Sequence, residues 1–346
     1  MIININKKQF NNLFENDEAN KIIAQFILDY IDNAKNIKID KNKSIYECII
    51  EYFNLDNNYI SLFENKFNLS KQISKLDVNE YINNPYNLNI KLENISYKNY
   101  KFEMQSFNKY EGFLCDEILV DNNYLEHTKI GYFEKDYNYL TLSLNNEIWM
   151  LITPHEINTM KKAVNKANGN VITFGLGLGY FAYMCSIKDN VDSVTIIEKD
   201  NKIIELFNKF ILPQFNNKDK IKIINEDAIK YLNNNNFDYN YAFIDLWHDN
   251  EDGLKLYIDT YKLSLLHKNT TFDFWIEKSM IIMLRRCLIT LLYESVNNII
   301  YESEESYEDY LINKFKALLK DYVINTKQDI DRLLSESFIK DLITKI

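Results

Sequence analysis

The chain has 346 residues, 46% of them hydrophobic and 26% charged, with a formal net charge of −10 at pH 7. That length supports two domains with their own cores, and the composition is that of a folded protein. Arginine occurs only at Arg285, Arg286 and Arg332, so an arginine-rich face for nucleic acid is excluded as an expectation, and no apolar run approaches the ~20 residues of a membrane span.

The first twenty residues, MIININKKQFNNLFENDEAN, lack an apolar stretch followed by a small-residue cleavage site, and a cytoplasmic protein is expected. Residues 1–85 read as helical. Ile22, Ile23, Phe26, Ile27, Tyr30 and Ile31 make one stripe at helical spacing, and Ile45, Cys48, Ile49, Tyr52 and Phe53 a second. Asn83-Asn84-Pro85 is expected to end the region, because residues before proline avoid the helical basin.

Residues 86–152 alternate and predict a small antiparallel sheet. Leu88, Ile90 and Leu92 point one way, and Tyr100, Phe102 and Met104 repeat the pattern. Leu140, Leu142 and Leu144 then run into Asn145-Asn146, a tight turn tolerant of positive φ, with a return strand after it.

Residues 153–278 alternate strand and helix. Thr153-Pro154-His155-Glu156 is a helix start: threonine at the N-cap, proline at the first position, glutamate placed for a capping box. VITFG, SVTIIE, IKIIN, YAFID and TFDFWIE follow as strand-like runs with helical segments between them. Continuous apolar strands alternating with helices predict a mostly parallel, Rossmann-like α/β sheet covered on both faces. Residues 279–346 read as helical, with a stripe of Leu311, Ile312, Phe315, Leu318, Leu319, Tyr322 and Val323.

Three of the seven glycines, Gly175, Gly177 and Gly179, fall within five residues where the first strand ends. One glycine would serve a turn; three suit a backbone approached closely by a ligand. The dinucleotide fingerprint asks for a glycine where Tyr180 stands. Glu198 ends the second strand, where a carboxylate can accept from both ribose hydroxyls. Glu226 and Asp227 follow the third strand, where an acid can accept from an adenine amine, although Asp227 also suits an N-cap. Asp245 ends the fourth strand, followed by Leu246, Trp247, His248 and Asp249; Asp245 and His248 are the candidate proton-handling groups. Trp275 is expected in the core and Glu277 at the pocket. Asp245, His248 and Asp249 do not form a clear metal ligand set, and the four separated cysteines read as buried thiols.

The G-x-G-x-G spacing with Glu198, Asp227 and Asp245 resembles the class I S-adenosylmethionine-dependent methyltransferases, over residues 150–280. Within them the chain is similar to the spermidine-synthase branch, through His155-Glu156 ahead of the core and the small sheet before it. The resemblance implies S-adenosylmethionine around Gly175, Gly177 and Gly179, with Glu198 on the ribose, Asp227 on the adenine and Asp245 at the reacting end; Phe174 and Ala228 are further candidate cofactor contacts, Asp245 and His248 the candidate catalytic groups, and no metal is assigned. Departures are Thr173 where methyltransferases often carry an acid, Leu178 where spermidine synthases do, and Asp245-Leu246-Trp247-His248-Asp249 in place of Asp-Ser-x-Asp-Pro. No closing β-hairpin is legible after the fifth strand; either the last helices replace it or it is hidden there. The expectation is methyl transfer to a small-molecule acceptor, with neither nucleic acid nor membrane as partner and a homodimer left open. Aminopropyl transfer and a non-catalytic binding protein on the same core are the alternatives.

Overall fold

The computed structural model describes residues 1–233, 237–299 and 305–346. Helix α1 (Asn11–Asn33) buries Ile23, Phe26, Ile27 and Tyr30, the stripe expected of it. A second helix, Ile45–Phe53, starts at a full capping box between Ser44 and Glu47.

The expected end of the helical region at Pro85 is corrected: Pro85 opens helix α2 (Pro85–Asn89). Asn84 is its N-cap and accepts from the Tyr86 amide at 3.0 Å, and proline sits at the first turn, where its missing N–H costs nothing. Leu88 is therefore helical and exposed, whereas Ile90 and Leu92 are buried in the chain that follows. Three alternating apolar residues were too few to outweigh a cap and a proline.

The antiparallel sheet comprises β1 (Ile95–Tyr97), β2 (Tyr100–Phe107), β3 (Tyr137–Leu144) and β4 (Glu147–Leu151), in the order β4-β3-β2-β1. Asn145 and Asn146 both take positive φ, 54° and 70°, and Leu144 pairs with Glu147 as the hairpin reading requires. Helical character at both ends of the chain is interrupted by short strands: Ile2–Ile3 pairs in parallel with Val323–Ile324, and Ile73–Lys75 with Ile130–Tyr132.

Helix α3 (Pro154–Lys166) leads into the core. There, β5 (Gly169–Phe174), α4 (Tyr180–Ser186), β6 (Val191–Glu198), α5 (Asn201–Leu206), β7 (Ile221–Asn225), α6 (Ala228–Leu232), β8 (Tyr241–Ile244), α7 (Asn250–Ser264) and β9 (Thr271–Phe274) alternate. Among the described residues these strands form a five-stranded sheet in the order β7-β6-β5-β8-β9, every neighbouring pair parallel. Val171, Ile172, Thr173 and Phe174 are buried in succession. Side chains alternate in direction along a strand, so both faces of the sheet are covered. The fold is α/β and Rossmann-like. Strand order reverses between β5 and β8, where such sheets bind ligands.

Helix α8 (Glu277–Asn297) begins three residues after β9, so a helix occupies the place of a closing hairpin among the described residues. Helices α9 (Tyr307–Leu318), α10 (Lys327–Leu333) and α11 (Glu336–Ile343) complete the chain. Leu311, Phe315 and Leu319 are buried as the stripe implies, but Val323 lies in a strand beyond the helix. One apolar core runs from Phe10 and Leu13 through both sheets to Ile339 and Ile343, and a smaller one holds the second half of α1 against Phe63, Phe67 and Leu69. No described helix is long and apolar enough to cross a membrane.

Candidate ligand and acceptor site

The three clustered glycines serve three different purposes. Gly175 has φ 95°, and a Cβ there would lie 1.9 Å from the backbone oxygen of Asp245. It is the residue that lets the ends of β5 and β8 touch, with the Asp245 amide bonded to the Phe174 carbonyl at 2.9 Å. Gly179 has φ 75° and caps α4; a Cβ would lie 2.5 Å from the Phe207 ring. Gly177 has φ 52° and a Cβ would meet nothing within 4 Å. Two glycines thus permit close packing, and the middle one opens onto free space at the carboxyl edge of the central strand.

Glu198 faces the same loop. Its Oε2 accepts from the Leu176 amide at 3.2 Å and its Oε1 from the Asp200 amide at 2.7 Å. A carboxylate offers about four acceptor sites, so each oxygen keeps capacity for a further donor. Asp227 is exposed and is the N-cap of α6, accepting from the Lys230 amide at 3.0 Å. Glu226 pairs with Lys230 at 3.4 Å. Ala228 is buried at the first turn of α6.

Phe174, an expected cofactor contact, turns its side chain into the core. The side chain is fully buried, with its ring against Tyr231 and Phe237, and it has no surface to offer a ligand. It ends a strand covered on both faces, and sequence position could not say which way the ring turned.

Asp245 is partly exposed at the end of β8. Burial of its carboxyl, reinforced by the charge of Glu156, holds its pKa well above the ordinary carboxylate range. Glu156 comes from the first turn of α3. Thr153 and Pro154 do occupy the N-cap and first position of that helix, but Thr153 makes no capping hydrogen bond. The expected capping box is absent, and the charge of Glu156 acts on Asp245 instead. His155 Nδ1 lies 3.9 Å from Glu156 Oε1, and the imidazole meets Trp275 edge-on with centroids 6.3 Å apart. Trp275 is buried, as expected, and donates its indole N–H to Thr159 at 2.9 Å.

His248 is not drawn into this group. It is exposed and turned to Asp252, 3.1 Å from Nδ1, and Asp249 is the N-cap of α7 in a capping box with Asp252. Glu277 is also committed, accepting from the Tyr257 hydroxyl at 2.9 Å and pairing with Lys340 at 2.9 Å. The preceding Ile276 has φ 46°, a strained conformation for a β-branched residue.

All four cysteines are buried, and burial pushes Cys115, Cys185 and Cys287 up to about 12, far from thiolate chemistry. Among the described residues no group of three or more His, Cys, Asp and Glu side chains could hold a metal ion. Sequence reasoning missed Asn84 and Tyr86, which reach the glycine loop from α2, and Phe207, which explains Gly179. Each is distant in sequence from what it touches, and no local pattern marks such a contact.

The strand order and the site at its switch point define a Rossmann-like α/β protein. No protein-family model matches the chain, and no curated protein matches it. Among solved structures it is similar to spermidine synthase from Thermotoga maritima, at 13% identity and a TM-score of 0.31, covering 44% of this chain and 59% of that one. The chain therefore spans less than two thirds of that enzyme. A second similar structure is a spermidine synthase in complex with the transition-state analogue AdoDATO, at 11% identity and a TM-score of 0.31, covering 61% and 84%.

Proposed function

We propose that this chain is a transferase that binds an S-adenosyl sulfonium compound across its glycine loop and passes a carbon group to a small-molecule acceptor. The observation that carries the reading is Gly177: a glycine at positive φ, open on its Cβ side, at the switch point of a parallel sheet. Glu198 next to it keeps acceptor capacity for ribose hydroxyls, and Asp227 and Ala228 at the start of α6 stand where adenine would lie. When bound, the sulfonium supplies an electrophilic carbon and a good leaving group. Gly175 holds Asp245 against the end of β5, so the carboxyl is fixed relative to the loop. The raised pKa makes the Asp245 carboxylate a stronger base than an ordinary one, which suits it to take a proton from an acceptor. The rest is placement of the acceptor in line.

Methyl transfer is the first reading. The specific observation favouring aminopropyl transfer is the pairing of Asp245 with Glu156. The charge of Glu156 adds to the proton affinity of Asp245, and a cation beside Asp245, which an amine acceptor supplies, opposes that effect. The net charge of −10 would draw such an acceptor in.

Titration calorimetry with S-adenosylmethionine, its decarboxylated form, S-adenosylhomocysteine and NAD tests the first step; binding of NAD alone would sink the proposal. Product analysis separates the reactions, because methyl transfer leaves S-adenosylhomocysteine and aminopropyl transfer leaves methylthioadenosine.

A further inference from the structure

The glycine loop is held from outside its own fold. Tyr86 on α2 is 1% exposed, and its hydroxyl donates to the Leu178 carbonyl at 2.5 Å. Its ring packs on Tyr180 and Tyr183, with centroids 5.5 and 5.6 Å away. Asn84, which caps α2, also donates from its side-chain amide to the Tyr180 hydroxyl at 3.0 Å in a buried contact. Asn87 ties α2 to chain on both sides of it in sequence. Asn87 donates to the Tyr81 carbonyl at 2.9 Å and to the Tyr137 hydroxyl at 3.2 Å.

Leu178 lies between Gly177 and Gly179, both at positive φ. Glycines at positive φ leave a loop with more freedom than other residues would, so the orientation of the peptide between them must be set by something else. Glu198 holds the loop at Leu176 through its Oε2. Tyr86 holds it at Leu178. The two bonds bracket Gly177.

We propose that Tyr86 is a positioning residue for the ligand site: its buried hydroxyl fixes the Leu178 peptide and thereby keeps the Gly177 turn open for the adenosyl ligand. This rests on the function proposed above for the loop. It also makes α2 the element through which residues 81–137 bear on the sheet's switch point.

The test uses Tyr86→Phe, which removes one oxygen and leaves the ring packing, with Tyr180→Phe as the control that breaks only the Asn84 contact. Hydrogen exchange of the amides of residues 176–179 is followed in the full chain without ligand, and S-adenosylhomocysteine affinity is measured in parallel. Tyr86→Phe should speed exchange at those amides selectively and weaken binding about tenfold, the weight of one buried hydrogen bond. Tyr180→Phe should do neither to the same degree. Unchanged exchange in Tyr86→Phe, a uniform rise over the whole protein, loss of folding, or equal effects in the two variants would overturn the assignment. If the wild type binds no adenosyl compound, the proposed function fails, and the exchange measurement still decides the role of Tyr86.

Discussion

Gly175 and Asp245 meet backbone to backbone: the Asp245 carbonyl oxygen occupies the place where a side chain on Gly175 would begin, 1.9 Å from an ideal Cβ. The contact joins β5 and β8, the two strands between which the strand order reverses. It also fixes the candidate proton acceptor relative to the candidate ligand loop.

The glycines should therefore respond differently to alanine. Gly175→Ala forces the two strand ends apart at positive φ, and a loss of about 2 kcal/mol or more is expected in urea unfolding. Gly177→Ala meets no neighbouring atom, so its stability cost is the left-handed backbone alone, about 1–2 kcal/mol. Its larger effect should be on S-adenosylhomocysteine affinity, read by calorimetry. Equal affinity in Gly177→Ala and wild type would remove the argument for a ligand over that residue.

Glu198→Gln keeps the shape and one acceptor oxygen but loses the charge. One of the two bonds from the Leu176 and Asp200 amides is lost, because the glutamine NH2 would face a backbone N–H, and the ribose contact weakens. Loss of a charged hydrogen bond amounts to about 1.5–3 kcal/mol, roughly ten- to a hundredfold in affinity. Calorimetry at constant pH measures it, and the loss should exceed that of Asp227→Asn, whose carboxylate already caps α6.

Asp245 makes stability depend on pH with a definite sign. Its folded pKa is raised above the unfolded value of about 3.9, so folding favours the protonated form. The favourable contribution is complete below the unfolded pKa and is lost as pH rises through the folded value. Asp245→Asn should therefore be more stable than wild type at pH 8, and the gap should close toward pH 4. Glu156→Gln should lower the Asp245 pKa only partly, since burial is the larger cause. Urea unfolding across that range checks both, and turnover should vanish in Asp245→Asn while adenosyl affinity stays.

Glu294 lies buried in α8 with Oε2 unpartnered among the described residues, and burial is the main cause of its raised pKa, with Lys316 opposing it and Asp309 adding to it. An unsatisfied buried polar group costs about 1–3 kcal/mol. Glu294→Met, similar in length and a good helix former, should raise the unfolding midpoint. The gain should grow with pH, because the wild-type carboxyl must ionise in its buried position.

Much of the core was legible because its signals are local. The five strand runs are short apolar stretches, and the helices between them carry their own periodicity; Asn145-Asn146 needed only its two positive φ angles. Glu198 could be placed by counting from the glycines. What was not legible shares a cause. Leu88, Ile90 and Leu92 alternate, but Asn84 and Pro85 start a helix that takes in Leu88 and ends at Asn89. Phe174 ends a strand at the right place, and its ring turns into the core. His248 is close to Asp245 in sequence and is taken up by Asp252, whereas Glu156, 89 positions away, acts on Asp245 through its charge.

The sequence by itself determined where the buried core strands stop and that Asn145-Asn146 takes left-handed angles, because each depends on neighbouring residues alone. Only the tertiary structure decided which glycine faces open space, which carboxyl acts on Asp245 and that Tyr86 reaches Leu178. Those depend on strand order and on packing between segments far apart in the chain, and burial then turns a chance proximity into a shifted pKa or a fixed peptide.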